Sequence, residues 1–332
     1  MTYQMPFNNL LNPGHSACAG CGELIAMRHV LQAAGPNTII SNATGCSEVT
    51  TSRFPFSSFK VPWIHANFEN AVSVASGILA ALKVKSDANN RSAYGYGHAN
   101  DANNTPDGGR GNVHSTLINS NQLPSTNLLV FGGDGATFDI GVGLISGSWE
   151  RRENILYVCF NNEGYMNTGA QASGSTPLDA NTTTTPPGRA SSGNELVRKN
   201  MVNIALAHDC VYVATATVAD TIDIENKVKK ALSMNGPKYL EILCTCVPGW
   251  HTESKDTIKV ARLAQQTGIY PVLEYVSGQL VNVAHCPKSR PLVEEYLKLQ
   301  GRYKHLFKPK TNTVEIARIQ KMADENVKKF GL

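Results

Sequence analysis

The sequence predicts an α/β fold in which a doubly wound parallel sheet carries helices on both faces. Short apolar runs, typical of buried strands, alternate with longer segments of helical periodicity. A turn with three glycines, Gly132, Gly133 and Gly135, follows the apolar run 128–131, as expected where a parallel strand passes into a helix. The predicted strands are 39–41, 128–131, 154–160, 211–216 and 239–243, and the predicted helices are 23–34, 139–152, 196–207 and 222–233.

The glycine turn carries a single carboxylate, Asp134, and the strand 154–160 is followed by Asn161-Asn162-Glu163-Gly164. A right-handed βαβ crossover brings both strand ends to one edge of the sheet, so Asp134 and Asn162 are expected to be neighbours. Carboxylate, amide and carbonyl oxygens suit Mg²⁺, which usually shares its ligands with phosphate. The turn that opens the helix supplies N–H groups for such a phosphate. A tight turn without a ligand is the alternative.

Several cysteines lie in glycine-containing turns. Cys18 and Cys21 form a C-x₂-C pair, and Cys46 follows Gly45. Further along the chain, Cys244-Thr245-Cys246 directly follows a predicted strand. This pattern predicts a four-thiolate site, for which an iron–sulfur cluster and a structural zinc ion are both open alternatives.

Composition narrows the functional class. The 332 residues are 42% hydrophobic and 17% charged, as in an ordinary globular protein, and the net charge of +4 gives no reason to expect nucleic-acid binding. The apolar stretch 71–82 is too short to span a membrane, and the N-terminus resembles no signal peptide. We therefore expect a cytoplasmic protein with reduced cysteines. Cys159 and Cys210 are expected to be inert core residues, and Cys286 has no predicted role.

Taken together and in order, these motifs resemble one family. They are His15–Gly22, Thr44–Val49, Pro62–His65, Phe68–Ala71, the Gly-Asp-Gly and Asn-Asn pair, and Asn167–Gly169. The chain is similar to the β subunit of 2-oxoacid:ferredoxin oxidoreductases, most of all to the pyruvate branch. The resemblance covers roughly residues 12–85 and 127–255.

The resemblance implies three cofactors: thiamine diphosphate, Mg²⁺ and one [4Fe–4S] cluster. By position, the cluster ligands would be Cys18, Cys21, Cys46 and Cys246, and the magnesium ligands would be Asp134, Asn162 and the carbonyl of Gly164. Asn167 would face the substrate. The cofactor-binding residues would be Gly45, Cys46, Ser47, His65, Gly133, Asp134, Gly135, Ala136, Asn162, Gly164, Tyr165 and Thr168.

The implied reaction is reversible: pyruvate, coenzyme A and oxidised ferredoxin give acetyl-coenzyme A, CO₂ and reduced ferredoxin. A branched-chain 2-oxoacid is an alternative substrate. Other readings are a non-redox thiamine diphosphate lyase with structural zinc and a non-catalytic subunit that only relays electrons. Because the sequence shows one doubly wound unit and no ferredoxin-type cysteine run, we expect at least two partner subunits, one with the pyrimidine-binding domain and one with further clusters.

Three regions depart from the family pattern or lie beyond it. Residues 85–125 are a polar insertion in the predicted domain 1–255, and its His98 and His114 are expected to be solvated. A second polar loop, 173–194, is interpreted as a lid, a partner contact or a plain surface loop. The extension 256–332 is predicted to end in an amphipathic helix that packs on this subunit or a neighbour; its apolar positions are Val314, Ile316, Ile319, Met322 and Val327.

Overall fold

The computed structural model describes residues 9–53, 55–93 and 126–332. Most of the predicted polar insertion, including His98 and His114, lies outside these ranges. Within them, the chain forms no helix that is both long and apolar enough to cross a membrane.

The architecture is an eight-stranded sheet with the order β2-β1-β3-β4-β6-β5-β7-β8. The first six strands of this order are parallel, while β7 pairs antiparallel with β5 and with β8. The strands are β1 (Thr38–Ala43), β2 (Trp63–Ala66), β3 (Asn127–Gly133), β4 (Leu156–Asn161), β5 (Tyr212–Thr217), β6 (Lys238–Leu243), β7 (Leu273–Val276) and β8 (Gln279–Val283). The predicted fold class is confirmed.

The strand order reverses between β1 and β3, because β2 lies on one side of β1 and the chain then continues on the other. In open α/β sheets, ligands bind in the crevice outside the carboxyl ends of the strands at such a reversal. The loop Thr44-Gly45-Cys46 follows β1 and Asp134 follows β3. The topology alone therefore places a candidate site at these two loops.

Helices cover both faces of the sheet. Those with α-helical geometry are α1 (Gly22–Ala34), α2 (Cys46–Val49), α3 (Ala71–Ala93), α4 (Val142–Glu150), α5 (Met201–Ala207), α6 (Thr221–Leu232), α7 (Val247–Trp250), α8 (Thr257–Gln266), α9 (Val293–Lys298) and α10 (Thr313–Phe330). A π-helical turn spans Gly135–Ile140, and 3₁₀ turns span Ser254–Asp256 and Gly301–Leu306. Because α3 ends at Ala93, the start of the predicted polar insertion is helical.

Two predicted helices differ in their first turns. The segment predicted as 139–152 begins earlier, with the π-helical turn that follows Asp134, and the amide of Gly141 donates to the carbonyl of Ala136 at 3.0 Å. The segment predicted as 196–207 becomes helical only at Met201. There the side chain of Asn200 accepts from the Asn203 amide at 2.9 Å and caps the helix.

The hydrophobic core has one layer on each face of the sheet. Alternate residues of β3 show this division: Leu129 and Phe131 pack with α1 and α6, whereas Leu128 and Val130 pack with α3 and α4. This burial on both sides explains why the strand is apolar throughout, since a sheet covered on both faces has no polar side. A third apolar cluster joins α8, α9 and α10 to Trp250.

The hairpin β7–β8 belongs to the C-terminal extension and extends the same sheet. This extension was predicted to end in a helix, and these two strands were not predicted. Its turn residues, Ser277 and Gly278, both have positive φ angles, of 46° and 79°. Strand β8 is largely exposed, so it lacks the apolar pattern by which a strand is recognised.

Candidate functional site

The loops after β1, β3 and β4 enclose a cavity of about 70 Å³ at the reversal of strand order. The structure brings most of the predicted cofactor-binding residues together here. Those that line the cavity are Gly45, Cys46, Gly133, Asp134, Gly135, Ala136, Asn162, Gly164, Tyr165, Asn167 and Thr168.

Two residues of the predicted set lie outside this lining. Ser47 is buried behind it, where its hydroxyl accepts from the Asn42 side chain at 3.1 Å. His65 reaches the rim only through Thr44, whose hydroxyl lies 2.7 Å from the imidazole Nε2. Both positions are one layer removed from the cavity.

Four lining residues were absent from the predicted set: Glu23, Thr44, Phe68 and Met166. Thr44 and Phe68 both belong to motifs that the chain shares with the family it resembles. Thr44 precedes Gly45 and Phe68 begins the Phe-Glu-Asn run, so both could have been identified from the sequence. Glu23 opens α1 directly after the Cys18–Cys21 pair and is only 3% exposed. In the sequence, the available signal was a carboxylate two residues after Cys21.

Three oxygen atoms converge at the end of β3 without a donor between them. The side-chain oxygen of Asn162 lies 3.0 Å from Asp134 Oδ1 and 2.8 Å from the carbonyl oxygen of Gly164. Rotating the amide would supply donors but would turn its oxygen toward Glu23, whose carboxylate accepts from the Asn162 amide at 3.4 Å. Oxygens at roughly 2.1 Å around an octahedral Mg²⁺ lie roughly 3.0 Å apart, so this arrangement fits that cation.

The charges of this site are deeply buried. Burial raises the pKa of Asp134 to about 7, and a hydrogen bond from Ser173 offsets part of this effect. Burial and the charge of Asp134 raise the pKa of Glu23 to about 7. Ionising two buried carboxylates in one site is costly, and a bound cation would relieve that cost.

Tyr165 closes one side of the cavity against the glycine turn. A Cβ at Gly135 would overlap the Tyr165 ring, so this position requires glycine. The Tyr165 hydroxyl donates to Asp139 at 2.9 Å, and its ring stacks on Phe68 with a centroid distance of 5.8 Å. By contrast, a Cβ at Gly45 or Gly133 would meet no atom within 4 Å, so the backbone is open at both positions.

The predicted loop 173–194 begins in contact with the site. Ser173 donates to Asp134, Ser175 to Asn161 at 2.7 Å, and Thr176 to the carbonyl of Glu163 at 3.0 Å. The first residues of this loop therefore hold the β3 and β4 ends in place.

A second cavity, of about 330 Å³, adjoins the first. Its lining includes Cys18, Cys21, Cys46, Cys244 and Cys246. Within the described ranges, no three His, Cys, Asp or Glu side chains converge closely enough to hold a metal ion. The cysteines surround this space, and their thiolates could hold an iron–sulfur cluster or a zinc ion.

Three of these cysteines lie at the N-terminal ends of helices. Cys21 precedes α1, Cys46 begins α2 and Cys246 precedes α7, where its Sγ accepts from the Gly249 amide at 3.4 Å. Burial raises the pKa of Cys21 and of Cys246 to about 12, so an electropositive centre is needed to hold them as thiolates. The thiol of Cys244 is fully buried and donates to the Ile242 carbonyl at 3.2 Å. Cys246 therefore fits a ligand role better than Cys244.

Known proteins are similar to this chain in sequence. The family "Thiamine pyrophosphate enzyme, C-terminal TPP binding domain" matches residues 116–242. Pyruvate synthase subunit PorB of Methanosarcina barkeri is 42% identical over 97% of each chain, and that of Methanocaldococcus jannaschii is 43% identical over 99% of each. Ketoisovalerate oxidoreductase subunit VorB of Pyrococcus furiosus is 35% identical over 96% of this chain and 95% of its own.

Among solved structures, a chain of 2-oxoglutarate:ferredoxin oxidoreductase from Magnetococcus marinus shares the fold. It superposes with a TM-score of 0.51 at 18% identity, over 91% of this chain and 92% of its own. The structural similarity shows only a shared fold, whereas the identity and coverage of the PorB sequences show the family. The chain belongs to the family of pyruvate synthase subunit PorB, the β subunit of 2-oxoacid:ferredoxin oxidoreductases.

Proposed function

We propose that this chain is the catalytic β subunit of a pyruvate synthase. The complex would convert pyruvate, coenzyme A and oxidised ferredoxin reversibly to acetyl-coenzyme A, CO₂ and reduced ferredoxin. The PorB relatives support pyruvate, because they are up to 43% identical to this chain and the ketoisovalerate relative is 35% identical. The observation that carries the proposal is the convergence of three groups at the end of β3, where the Asn162 side-chain amide lies within 3.0 Å of both the Asp134 carboxylate and the Gly164 carbonyl.

In this proposal the three oxygens hold Mg²⁺, which neutralises the diphosphate of thiamine diphosphate. That cofactor, when bound, supplies the electron sink for decarboxylating a 2-oxoacid. The open backbone at Gly133 lets the diphosphate approach the end of β3 closely. The exposed Asn167 at the cavity rim would then orient the substrate.

The adjoining cavity would hold one [4Fe–4S] cluster on Cys18, Cys21, Cys46 and Cys246. Its size, and the helix starts that present three of these cysteines, support this assignment. Four cysteines could hold either group, and the size of the cavity favours a cluster over structural zinc. The oxygen group of the first cavity, in turn, argues against a subunit that only relays electrons.

Partner subunits are part of the proposal. The cofactor cavity is a partly open cleft, so this chain would provide one wall of a larger site. Glu48 forms hydrogen bonds with Ser52 and lies 3.8 Å from His65, outside the cavity lining. Among the described residues, the glutamate that lines the cavity is Glu23, which accepts from Asn162 beside the proposed magnesium ligands. The carboxylate that activates the cofactor would come from a second subunit, and a third would carry electrons to ferredoxin.

The decisive experiment compares this chain alone with the reconstituted complex. Both are loaded with iron, sulfide, Mg²⁺ and thiamine diphosphate, and dye reduction is measured with pyruvate and with 3-methyl-2-oxobutanoate. We expect the chain alone to bind cofactors but to be inactive, and the complex to prefer pyruvate in a coenzyme A-dependent reaction. Turnover by the chain alone would contradict the subunit proposal, and a preference for the branched substrate would contradict the pyruvate assignment.

A further inference from the structure

The cofactor cavity and the cysteine-lined cavity share a wall. Five residues line both: Glu23, Cys46, Asn162, Met166 and Asn167. Four of them carry polar or ligating groups, whereas Met166 carries a flexible apolar thioether. Anything that passes between the two cavities, whether electrons or water, must pass this wall.

Two glycines make room for the Met166 side chain. A Cβ at Gly164 would lie 2.9 Å from the Met166 methyl carbon, and a Cβ at Gly249 would lie 3.0 Å from the same atom. Real Cβ atoms do not approach so closely, so any larger residue at either position would displace Met166. The methyl group is therefore held between the loop after β4 and the start of α7.

The same contacts connect Met166 to groups of both sites. Its amide donates to the Gly164 carbonyl at 3.0 Å, the oxygen that also faces Asn162. On the other side, a Cβ at Gly249 would lie 3.1 Å from Cys246 Sγ, so this sulfur borders the same gap as the Met166 methyl group. Met166 thus fills the space between a proposed magnesium ligand and a proposed cluster ligand.

We propose that Met166 is a positioning residue that seals the wall between cofactor and cluster. With the proposed function as its premise, the seal would have two effects: it would keep water from passing between the two cavities, and it would keep the electron path between them short and dry. Met166 is partly buried, and its thioether end fills the gap beside Gly164 and Gly249, which leaves no room for water there.

The seal bears on which product the reaction gives. In the oxidative route the 2-oxoacid would lose CO₂ and two electrons, and the acyl carbon would bond to the sulfur of coenzyme A with release of the thiol proton. The electrons would leave one at a time, through the cluster, to oxidised ferredoxin. If a proton from water reaches the substrate carbon first, the 2-oxoacid anion and that proton give an aldehyde and CO₂ with no electron transfer. A gap at Met166 would admit water and slow the electrons, so it would favour the aldehyde.

The test uses the full chain with its cluster reconstituted, followed by the complex. Met166→Ala removes the seal, Met166→Val removes part of it, and Met166→Leu conserves its volume. Val49→Ala is the matched control, because the half-exposed Val49 lines only the cysteine cavity. The first readout is the rate at which the visible absorbance of the cluster bleaches in air, with and without Mg²⁺ and thiamine diphosphate.

We expect bleaching to be several-fold faster in Met166→Ala than in the wild type, intermediate in Met166→Val and unchanged in Met166→Leu. Adding the cofactor should slow bleaching in Met166→Ala, because it closes the route through its own cavity. It should not slow bleaching in Val49→Ala. In the complex, Met166→Ala should raise the ratio of aldehyde to acyl-coenzyme A several-fold.

Equal bleaching rates in the wild type and all Met166 variants would overturn the inference, as would a cofactor effect of the same size in Val49→Ala. If Met166→Ala does not retain its cluster, the bleaching rates of Met166→Val and Met166→Leu are compared instead. Faster bleaching in Met166→Val supports the inference, and equal rates overturn it. A wild-type chain that binds neither iron nor thiamine diphosphate would instead contradict the proposed function, so the two failures are distinguishable.

Discussion

Arg302 of the C-terminal extension forms a buried ion pair with Glu163, at 2.6 Å between Nη2 and Oε2. Glu163 has a positive φ of 66°, which is unfavourable for a residue with a side chain, and it lies between Asn162 and Gly164. The Arg302 guanidinium also lies 3.9 Å from the centre of the Trp250 ring, and the Trp250 indole donates to the Asn162 carbonyl at 2.7 Å. The extension therefore supports the loop that is proposed to bind magnesium.

Arg302→Met should weaken binding of Mg²⁺–thiamine diphosphate by about tenfold, equivalent to about 1.4 kcal/mol. The substitution leaves Glu163 buried with only Arg198, whose Nη1 is 3.7 Å away, and unpaired buried charges are costly. Titration calorimetry on the full chain measures the affinity. Lys298→Met removes an exposed ion pair of the same extension and should change nothing, so equal effects of the two variants would contradict a positioning role.

Asp134→Asn should abolish binding of Mg²⁺–thiamine diphosphate while the fold persists. The variant keeps the shape of the side chain but removes the charge that would bind the cation. Burial disfavours the ionised form of Asp134, so the neutral amide should leave thermal stability equal or higher. Cofactor content after gel filtration, together with circular dichroism, separates loss of binding from loss of fold. Full cofactor content in this variant would refute the assignment.

Cys18→Ser, Cys21→Ser, Cys46→Ser and Cys246→Ser should each lower the iron content of the reconstituted chain, because serine is a poor ligand for iron. Cys159→Ser and Cys210→Ser are the controls, since both residues lie in the apolar core between sheet and helices. Iron and sulfide analysis decides the ligand set. Loss of iron in Cys244→Ser but not in Cys246→Ser would show that Cys244, and not Cys246, is the cluster ligand.

The sequence was sufficient to predict the parallel sheet and the neighbourhood of Asp134 and Asn162, because both depend on local patterns. Apolar strands, a glycine turn and one crossover determine which loops meet at the edge of the sheet. The hairpin β7–β8 could not be predicted in this way, since its exposed strand has no apolar alternation.

Contacts between residues far apart in the sequence could not be predicted either. Arg302 and Glu163 are 139 residues apart, and no local pattern relates them. Glu23 and Met166 line both cavities, because α1 and the loop after β4 meet where the strand order reverses. Their neighbours in sequence were predicted, yet the side chains that fill the space between sites depend on tertiary packing.

Asp179 of the loop 173–194 is buried near the half-buried Glu315 of α10, which forms an ion pair with Arg318 at 3.5 Å. Among the described residues, neither Asp179 Oδ2 nor Glu315 Oε2 finds a hydrogen-bond donor. Burial and the nearby charge of Glu315 raise the pKa of Asp179 to about 7, and Arg318 offsets part of this effect. An unfolded aspartate has a pKa near 3.9, so the folded chain holds its proton over a pH range in which the unfolded chain has lost it.

The contribution of Asp179 to stability is therefore fully present below about pH 4 and is lost as the pH rises toward about 7. We expect the thermal unfolding midpoint of the full chain to fall between pH 5 and pH 8, cofactor-free and at constant ionic strength. In Asp179→Asn this decrease should be smaller, so that the variant is the more stable protein at pH 8. Glu325→Gln, an exposed change on the same helix, should leave the pH dependence unaltered. Parallel curves for the wild type and Asp179→Asn would show that the carboxylate pair does not share a proton in the folded chain.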